Sequence, residues 1–374
     1  MLKRLYVDNY KCLVNFELRP GPLHLLMGLN GTGKSTLGML LTSLRDVVAG
    51  DALVPDSPKV AHFGATTFNK WQKNPLQTIE LEVRIEEHSY VYKFQVEHED
   101  PARSSETLKP RILSESLDMD GQRLLEFVEG KLSITKNNRA AATLDFRLDW
   151  HRSALTFLQA RADNLDIFRF KHWVEDIGYF RLVPPFPASA GQESVRPDRT
   201  LSNFSGWWRY MLQEDPGFYG PVEQTLREVL AGFRTLRFRT LDDGRKAQIA
   251  EFHAGGQEQG FLLDSLSDGQ QVLIALYSLL HGYVNSGRLV IFDEPDNFVA
   301  LREIQPWLNQ LQERTEESKA QVMIISHHPE MLNQLAPECG LVFRRLDSGY
   351  VNVEPYQPQE PGGLTPAELE ARGW

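Results

Sequence analysis

Three short stretches of this 374-residue chain carry residue types suited to phosphate chemistry. The first, Gly28-Leu29-Asn30-Gly31-Thr32-Gly33-Lys34-Ser35, has the spacing GxxxxGK[ST]. Such glycines let backbone amides turn inward on a polyphosphate, the lysine reaches the β and γ oxygens, and the hydroxyl offers Mg2+ a ligand beside a helix N-terminus. Gly28, Leu29, Asn30, Gly31, Thr32, Gly33, Lys34 and Ser35, followed by Thr36, are the candidate nucleotide contacts. Lys34 is also a candidate catalytic group and Ser35 a candidate metal ligand. The second stretch is the apolar run Leu289-Val290-Ile291-Phe292, which ends in Asp293-Glu294. Acids at a strand end are often just solvated, but beside a phosphate loop Asp293 can hold Mg2+ through water while Glu294 orients an attacking water. Hydrolysis, rather than binding alone, is the chemistry implied. The third stretch, Ile324-Ile325-Ser326-His327-His328-Pro329, puts imidazoles at the end of another apolar run, neutral or charged near pH 7.

Elements of regular structure must bring these groups together. Leu23–Met27 reads as a compact apolar strand, and Leu37, Leu40, Leu41 and Leu44 recur at three and four, a helix from Ser35 to Ala49-Gly50. Residues Leu2–Leu18 read as two short strands around Asn9-Tyr10-Lys11. Thr78–Ile85 and Tyr90–Val96 alternate apolar with polar residues, an antiparallel hairpin. Residues 97–138 are polar, with turn signals such as Asp120-Gly121, and 140–177 is expected to be mainly helical. A linker follows at 184–197, with helices at 204–212 and 221–231 and a hairpin about Asp242-Asp243-Gly244. Val272–Val284 reads as an apolar helix, 288–292 and 321–325 as buried strands, and 306–317 as the amphipathic helix between them. Continuous apolar strands separated by helices imply a parallel sheet covered on both faces.

Leu266-Ser267-Asp268-Gly269-Gln270-Gln271, ahead of the apolar helix, contains a plain capping box, Ser267 to Gln270. It also looks like the signature motif of ABC-type ATPases. The order of phosphate loop, signature, Asp-Glu strand and histidine resembles the RecF-like and OLD-like branch of those ATPases, which includes the SMC-like proteins, over residues 1–50 and 232–345. The resemblance implies ATP and Mg2+ as cofactors and a homodimer closed by an ATP sandwich. Ser267 and Gly269 would bind the γ-phosphate held by the opposite subunit. It further implies catalysis by Glu294, His327 and Lys34, metal binding by Ser35 and Asp293, and a D-loop at Asp296-Asn297. His328 is the rival to His327. Asp268 replaces the second-position glycine of the transporter signature, which disfavours a transporter subunit. Neither Gln72 nor Gln77 has the spacing of a Q-loop glutamine. Heptad arms are absent, and the roughly 47 residues after His327 hold no acidic Toprim-like nuclease region, so nuclease activity is not expected in this chain.

Composition narrows the classes further. Hydrophobic residues make up 41% and charged residues 24%, a globular balance. The net charge of -10 opposes a general duplex binder, so any DNA contact must be local. Arg139, Arg147, Arg152, Arg161, Arg169 and Lys171, with Trp150 and Trp173, could form one, as could Arg234, Arg237 and Arg239, but Asp145, Asp149, Asp163 and Asp166 interleave with the first set as on an ordinary solvated lobe. Two cysteines, no apolar run long enough to span a bilayer and no leader pattern at the N-terminus point to a cytoplasmic protein away from the membrane. The expected fold class is α/β, a P-loop NTPase with an ABC-type ATPase core, a β-rich arm and a helical insertion. The expected division is 1–96, core with phosphate loop and β arm; 97–220, mainly helical insertion; 221–356, core with signature, carboxylate strand and histidine; and 357–374, tail. Expected partners are a second copy, a nuclease or toxin effector, and DNA, in DNA maintenance or anti-phage defence. A regulatory or assembly ATPase acting on a protein without nucleic acid is the alternative.

Overall fold

Period-two alternation builds the first part of the chain. In β1 (Leu2–Asp8), Leu2, Leu5 and Val7 are buried, while Arg4 on the other face pairs with Glu17 at 2.8 Å and Glu80 at 3.2 Å. After β2 (Phe16–Leu18) and the buried strand β3 (Leu23–Met27), helix α1 (Lys34–Ala49) turns Leu37, Leu40, Leu41, Leu44 and Val48 inward. Then come β4 (Leu76–Ile85), β5 (His88–Glu97), β6 (Arg111–Met119), β7 (Gln122–Val128), β8 (Lys131–Lys136), β9 (Arg139–Arg147) and helix α2 (Leu165–Glu175). The computed structural model describes residues 1–54, 62–64, 66–69, 74–98, 110–136, 139–189, 191–284, 287–357 and 363–372.

Two units emerge, Met1–Ile177 with Leu332–Trp374, and Gly178–Met331. The first holds an eight-stranded antiparallel sheet in the order β2-β1-β4-β5-β6-β7-β8-β9. The hairpin read from 78–96 is its centre. Where the sequence suggests irregular chain at 111–136 and helix from 140, there are instead strands β6 to β9, so the region 97–220 is not mainly helical. Two physical causes hide these strands. Register shifts between Gln95 and Val96 and between Leu117 and Asp118 break the alternation of β6, whose buried residues are Ile112, Glu115 and Leu117. In β9 the run Ala140-Ala141-Ala142 favours helix locally, and pairing with β8 overrides it. Asp120-Gly121, with φ of 50° and 81°, makes the two-residue turn between β6 and β7.

Glu115 is the one carboxylate wholly inside this arm among the described residues. Its Oε1 accepts from the Tyr92 hydroxyl at 2.8 Å and Ser153 Oγ at 2.7 Å, and its Oε2 from the Ala154 N–H at 2.7 Å. Burial pushes its carboxyl upward, against the pull of those three donors. Glu115→Ala strands three buried donors, so urea unfolding is expected to show a loss of about 3–9 kcal/mol, at ~1–3 kcal/mol per unsatisfied group.

The second unit contains β10 (Gly178–Phe180), α3 (Phe204–Glu214), α4 (Tyr219–Val229), β11 (Phe233–Thr240), β12 (Lys246–Ala254), β13 (Gln257–Leu262), α5 (Asp268–Gly282), β14 (Leu289–Asp293), α6 (Leu301–Ser318) and β15 (Gln321–Ile325). Strands β10, β14 and β15 are parallel and buried along their whole length, as continuous apolar runs require. Strands β11 to β13 form a separate antiparallel sheet; β13 escapes sequence reading because all six residues are exposed. Helix α7 (Pro329–Cys339) leads back to the first unit, where β16 (Gly340–Arg345) runs parallel to β3 and β17 (Val351–Pro355) pairs with β16. Short helix α8 (Pro366–Ala371) lies in the tail, capped by Thr365. The units divide at 177 and 331 rather than at 96 and 220, because the arm strands pair with β1 and β4. Among the described residues no helix is long and apolar enough to cross a membrane.

Candidate functional site

The phosphate loop leaves β3 at Gly28, where φ is 131° and a Cβ would run into the Phe343 carbonyl on β16. At Gly33, φ is 97° and a Cβ would lie 2.9 Å from Cys12 Sγ. Only glycine lets the backbone lie this close at either point. Leu29 and Thr32 close a tight turn, Thr32 Oγ1 donating to the Leu29 carbonyl at 2.8 Å. Leu29, Asn30 and Gly31 are exposed at its tip. The Lys34 ammonium donates to the carbonyls of Gly28 and Leu29, so its charge sits within the loop. Ser35 and Thr36 lie half-buried in the first turn of α1, where Thr36 hydrogen-bonds the Cys12 thiol that burial pushes up. The N-cap of α1 is Gly33, which has no side chain to cap it, and no acid stands in the first turn, so the positive end of the helix dipole is not offset by a carboxylate and suits an anion. A cradle that Cβ atoms would fill, a helix N-terminus that begins on glycine and a lysine fit a polyphosphate.

In the second unit, β14 and β15 bring three predicted residues to one sheet edge. Asp293 stands opposite Ile325, and Glu294 N donates to the Ile325 carbonyl at 2.8 Å; His327 follows two residues later. Asp293 is 2% exposed and its Oδ2 accepts from the Tyr179 hydroxyl at 2.6 Å. Glu294 has a left-handed backbone, φ 54°, which costs an L-residue about 1–2 kcal/mol. Its Oε2 receives Asn297 Nδ2 at 3.0 Å and Arg181 Nη2 at 3.3 Å. His327 is half-buried. The rival His328 is engaged locally: its N–H donates to Ser326 Oγ at 3.0 Å, and its Nδ1 accepts the Glu330 N–H at 3.3 Å, at the start of α7. The Asp293 carboxylate is a hard oxygen donor of the kind Mg2+ takes, and in the other unit the Ser35 hydroxyl is another.

Ser267 caps α5, its Oγ accepting the Gln270 N–H at 3.3 Å within a complete capping box. Gly269 has no room for a side chain, since a Cβ would sit 2.8 Å from the Phe298 carbonyl. The signature and the segment Asp296–Phe298 are therefore in contact within this unit. Phe298 itself is 52% exposed with φ 72°. Burial pushes Asp296 up, and Ser326 hydrogen-bonds it.

Sequence reading missed Tyr179, Arg181 and Arg199. Their signal is weak: a three-residue strand, Gly178–Phe180, between a helix and a proline-rich stretch. Gln77 is a structural group, buried in β4 and donating to the carbonyls of Asn9 and Thr67 at 3.0 and 3.1 Å, while Gln72 lies outside the described residues. The basic clusters are largely neutralised by neighbours: Arg169 pairs with Asp166 at 2.8 Å, Arg152 with Asp149 at 3.9 Å, and Arg237 with Glu251. Trp173 is buried, whereas Trp150 is partly exposed beneath the Arg111 guanidinium. The side chains of Arg139, Asp145 and Arg147 lie outside the described ones.

Comparison with known proteins adds the following. A family described as "AAA domain, putative AbiEii toxin, Type IV TA system" matches residues 23–333. An OLD nuclease of Thermus scotoductus (strain ATCC 700910 / SA-01) is 45% identical over 51 residues, 14% of this chain and 9% of that nuclease. The aligned segment thus spans under a tenth of the nuclease's length. Among solved structures, an Smc head bound to the C-winged helix domain of ScpA superposes with a TM-score of 0.52 at 12% identity, covering 94% of this chain and 97% of that one. An SMC head domain from Thermotoga maritima gives 0.45 at 12% identity over 96% and 99%, too low to argue from. The fold is that of an SMC-type head, an α/β P-loop NTPase of ABC type.

Proposed function

The chain belongs to this AAA-domain family of OLD-like, ABC-type P-loop ATPases, and on that premise we propose that it binds and hydrolyses ATP as a homodimer whose two nucleotides lie between the subunits. The observation that carries the proposal is the pair of half-sites just described. One is a glycine cradle with Lys34 at a helix N-terminus; the other is a sheet edge holding Asp293, Glu294 and His327. In this reading the amides of Gly28–Ser35 and the Lys34 ammonium hold the β and γ oxygens, and Thr36 follows in the same turn. Ser35 and Asp293 would hold Mg2+, which when bound neutralises charge developing on the transferred phosphoryl group. Glu294 accepts the proton of the attacking water, and His327 donates to the γ-phosphate. Ser267 and Gly269 of the second copy close the site from the other side, since a glycine-bearing helix N-terminus suits a phosphate.

The engine is proposed to serve DNA maintenance or anti-phage defence beside a nuclease or toxin effector, in the cytoplasm. Family membership supports that reading, because one relative is an OLD nuclease and the family description names a toxin. A second reading, an ATPase that works on a protein partner without nucleic acid, is favoured by the local pairing of Arg152, Arg169 and Arg237 with acids. A gel shift at several salt concentrations, with and without ATP, separates them. The DNA reading expects binding that weakens steeply with salt and ATP hydrolysis that rises when DNA is added. No shift at low salt and unstimulated hydrolysis would favour the protein partner.

A further inference from the structure

Arg199, Tyr179 and Asp293 form a line of hydrogen bonds. A guanidinium can only donate and an ionised carboxylate can only accept. Arg199 Nη2 donates to Tyr179 Oη at 3.3 Å, and that hydroxyl spends its own proton on Asp293 Oδ2 at 2.6 Å. Donors in series polarise one another, so the cation strengthens the bond to the carboxylate. The guanidinium also lies 4.8 Å from the centre of the Tyr179 ring, and the Arg181 N–H donates to the Arg199 carbonyl at 2.8 Å, pinning the bracing residue to the end of β10. Tyr179 is 1% exposed and sits in register with Ile291 of β14, two residues before Asp293. Holding Arg199 in this place has a cost: its Nε is buried with no hydrogen-bond partner among the described residues.

We propose that Tyr179, braced by Arg199, is a positioning residue for Asp293 and sets how tightly the chain holds a divalent cation beside its nucleotide. The proposal rests on the ATPase reading above. The phenol engages Oδ2 and fixes the carboxylate rotamer, so that Oδ1 keeps one orientation. Partners one step behind a metal-binding group commonly change metal affinity 10–100-fold when removed. If Tyr179 served packing alone, its conservative replacement by phenylalanine would fill the same volume and leave cation affinity alone.

The test uses the full chain and two variants, Tyr179→Phe and Arg199→Gln. Mn2+ affinity is read from the loss of the free-ion electron paramagnetic resonance signal in the presence of a non-hydrolysable ATP analogue. Metal-free nucleotide affinity is read with a fluorescent ATP analogue in EDTA. Tyr179→Phe is expected to raise the Mn2+ Kd about tenfold and leave nucleotide affinity in EDTA unchanged; Arg199→Gln is expected to weaken Mn2+ less, with the same split. Wild-type Mn2+ affinity in both variants would overturn the clamp and leave the ATPase reading standing, as would an equal loss of both affinities in both variants. A wild-type chain that takes up neither nucleotide nor Mn2+ would overturn the ATPase reading and the clamp with it.

Discussion

Glu294→Gln protein is expected to bind ATP with near-native affinity, to hydrolyse it at least about 100-fold more slowly, and to elute as a dimer when ATP is present. The amide keeps the size of the carboxylate and a carbonyl oxygen for Asn297 and Arg181, so the sheet edge has no reason to rearrange. It cannot take a proton from water, and a positioned general base contributes ~10²–10⁴-fold. Arrested hydrolysis leaves ATP in place, and a ligand held only by the paired state shifts the population toward it. Phosphate release, nucleotide binding and light scattering on the same sample give the three readouts. Protein that stays monomeric at saturating ATP would sink the sandwich.

The second large effect is recovery of activity between two dead variants. Lys34→Ala removes the ammonium from the phosphate loop, and Ser267→Arg puts bulk and a new charge at the signature. Each alone is expected to fall to background hydrolysis, yet both should fold. Lys34 lies on a helix whose apolar face is intact, and loss of the Ser267 cap costs about 1 kcal/mol. In a two-fold pair each site takes its loop from one copy and its signature from the other. A mixed dimer then has one site with both parts sound. Equimolar mixing gives such dimers half the time, so about a quarter of the wild-type rate should return. If mixing restores nothing while both variants remain folded and bind each other, the signature does not act across subunits.

The core strands and the phosphate loop were legible because their physics is local. Residues 25–27, 289–292 and 322–325 are apolar without interruption, and the glycines at 28 and 33 stand where close contacts demand them. The arm was half legible. Thr78–Val96 alternates cleanly, whereas β6 hides a buried carboxylate and two register shifts, and β9 is an alanine-rich segment that only its neighbour makes a strand. What could not be read was Tyr179 and Arg199 behind Asp293. Nothing in the spacing of residues 179, 199 and 293 joins them; only the parallel register of β10 on β14 does so.

The pairing of β3 with β16 sets Leu25 beside Gly340, and the carbonyl that crowds Gly28 belongs to Phe343. Strands β4 to β8, by contrast, each pair with their successor. A ribosome making ~5–20 residues per second therefore delivers a complete meander long before it delivers the neighbour of β3, a wait on the order of 15–60 s at that rate. During that time the phosphate loop hangs from a strand with no β16 beside it. Nascent chains should consequently ignore ATP until β16 has been made, and a messenger truncated before codon 340 should yield an arm that never gains the nucleotide site.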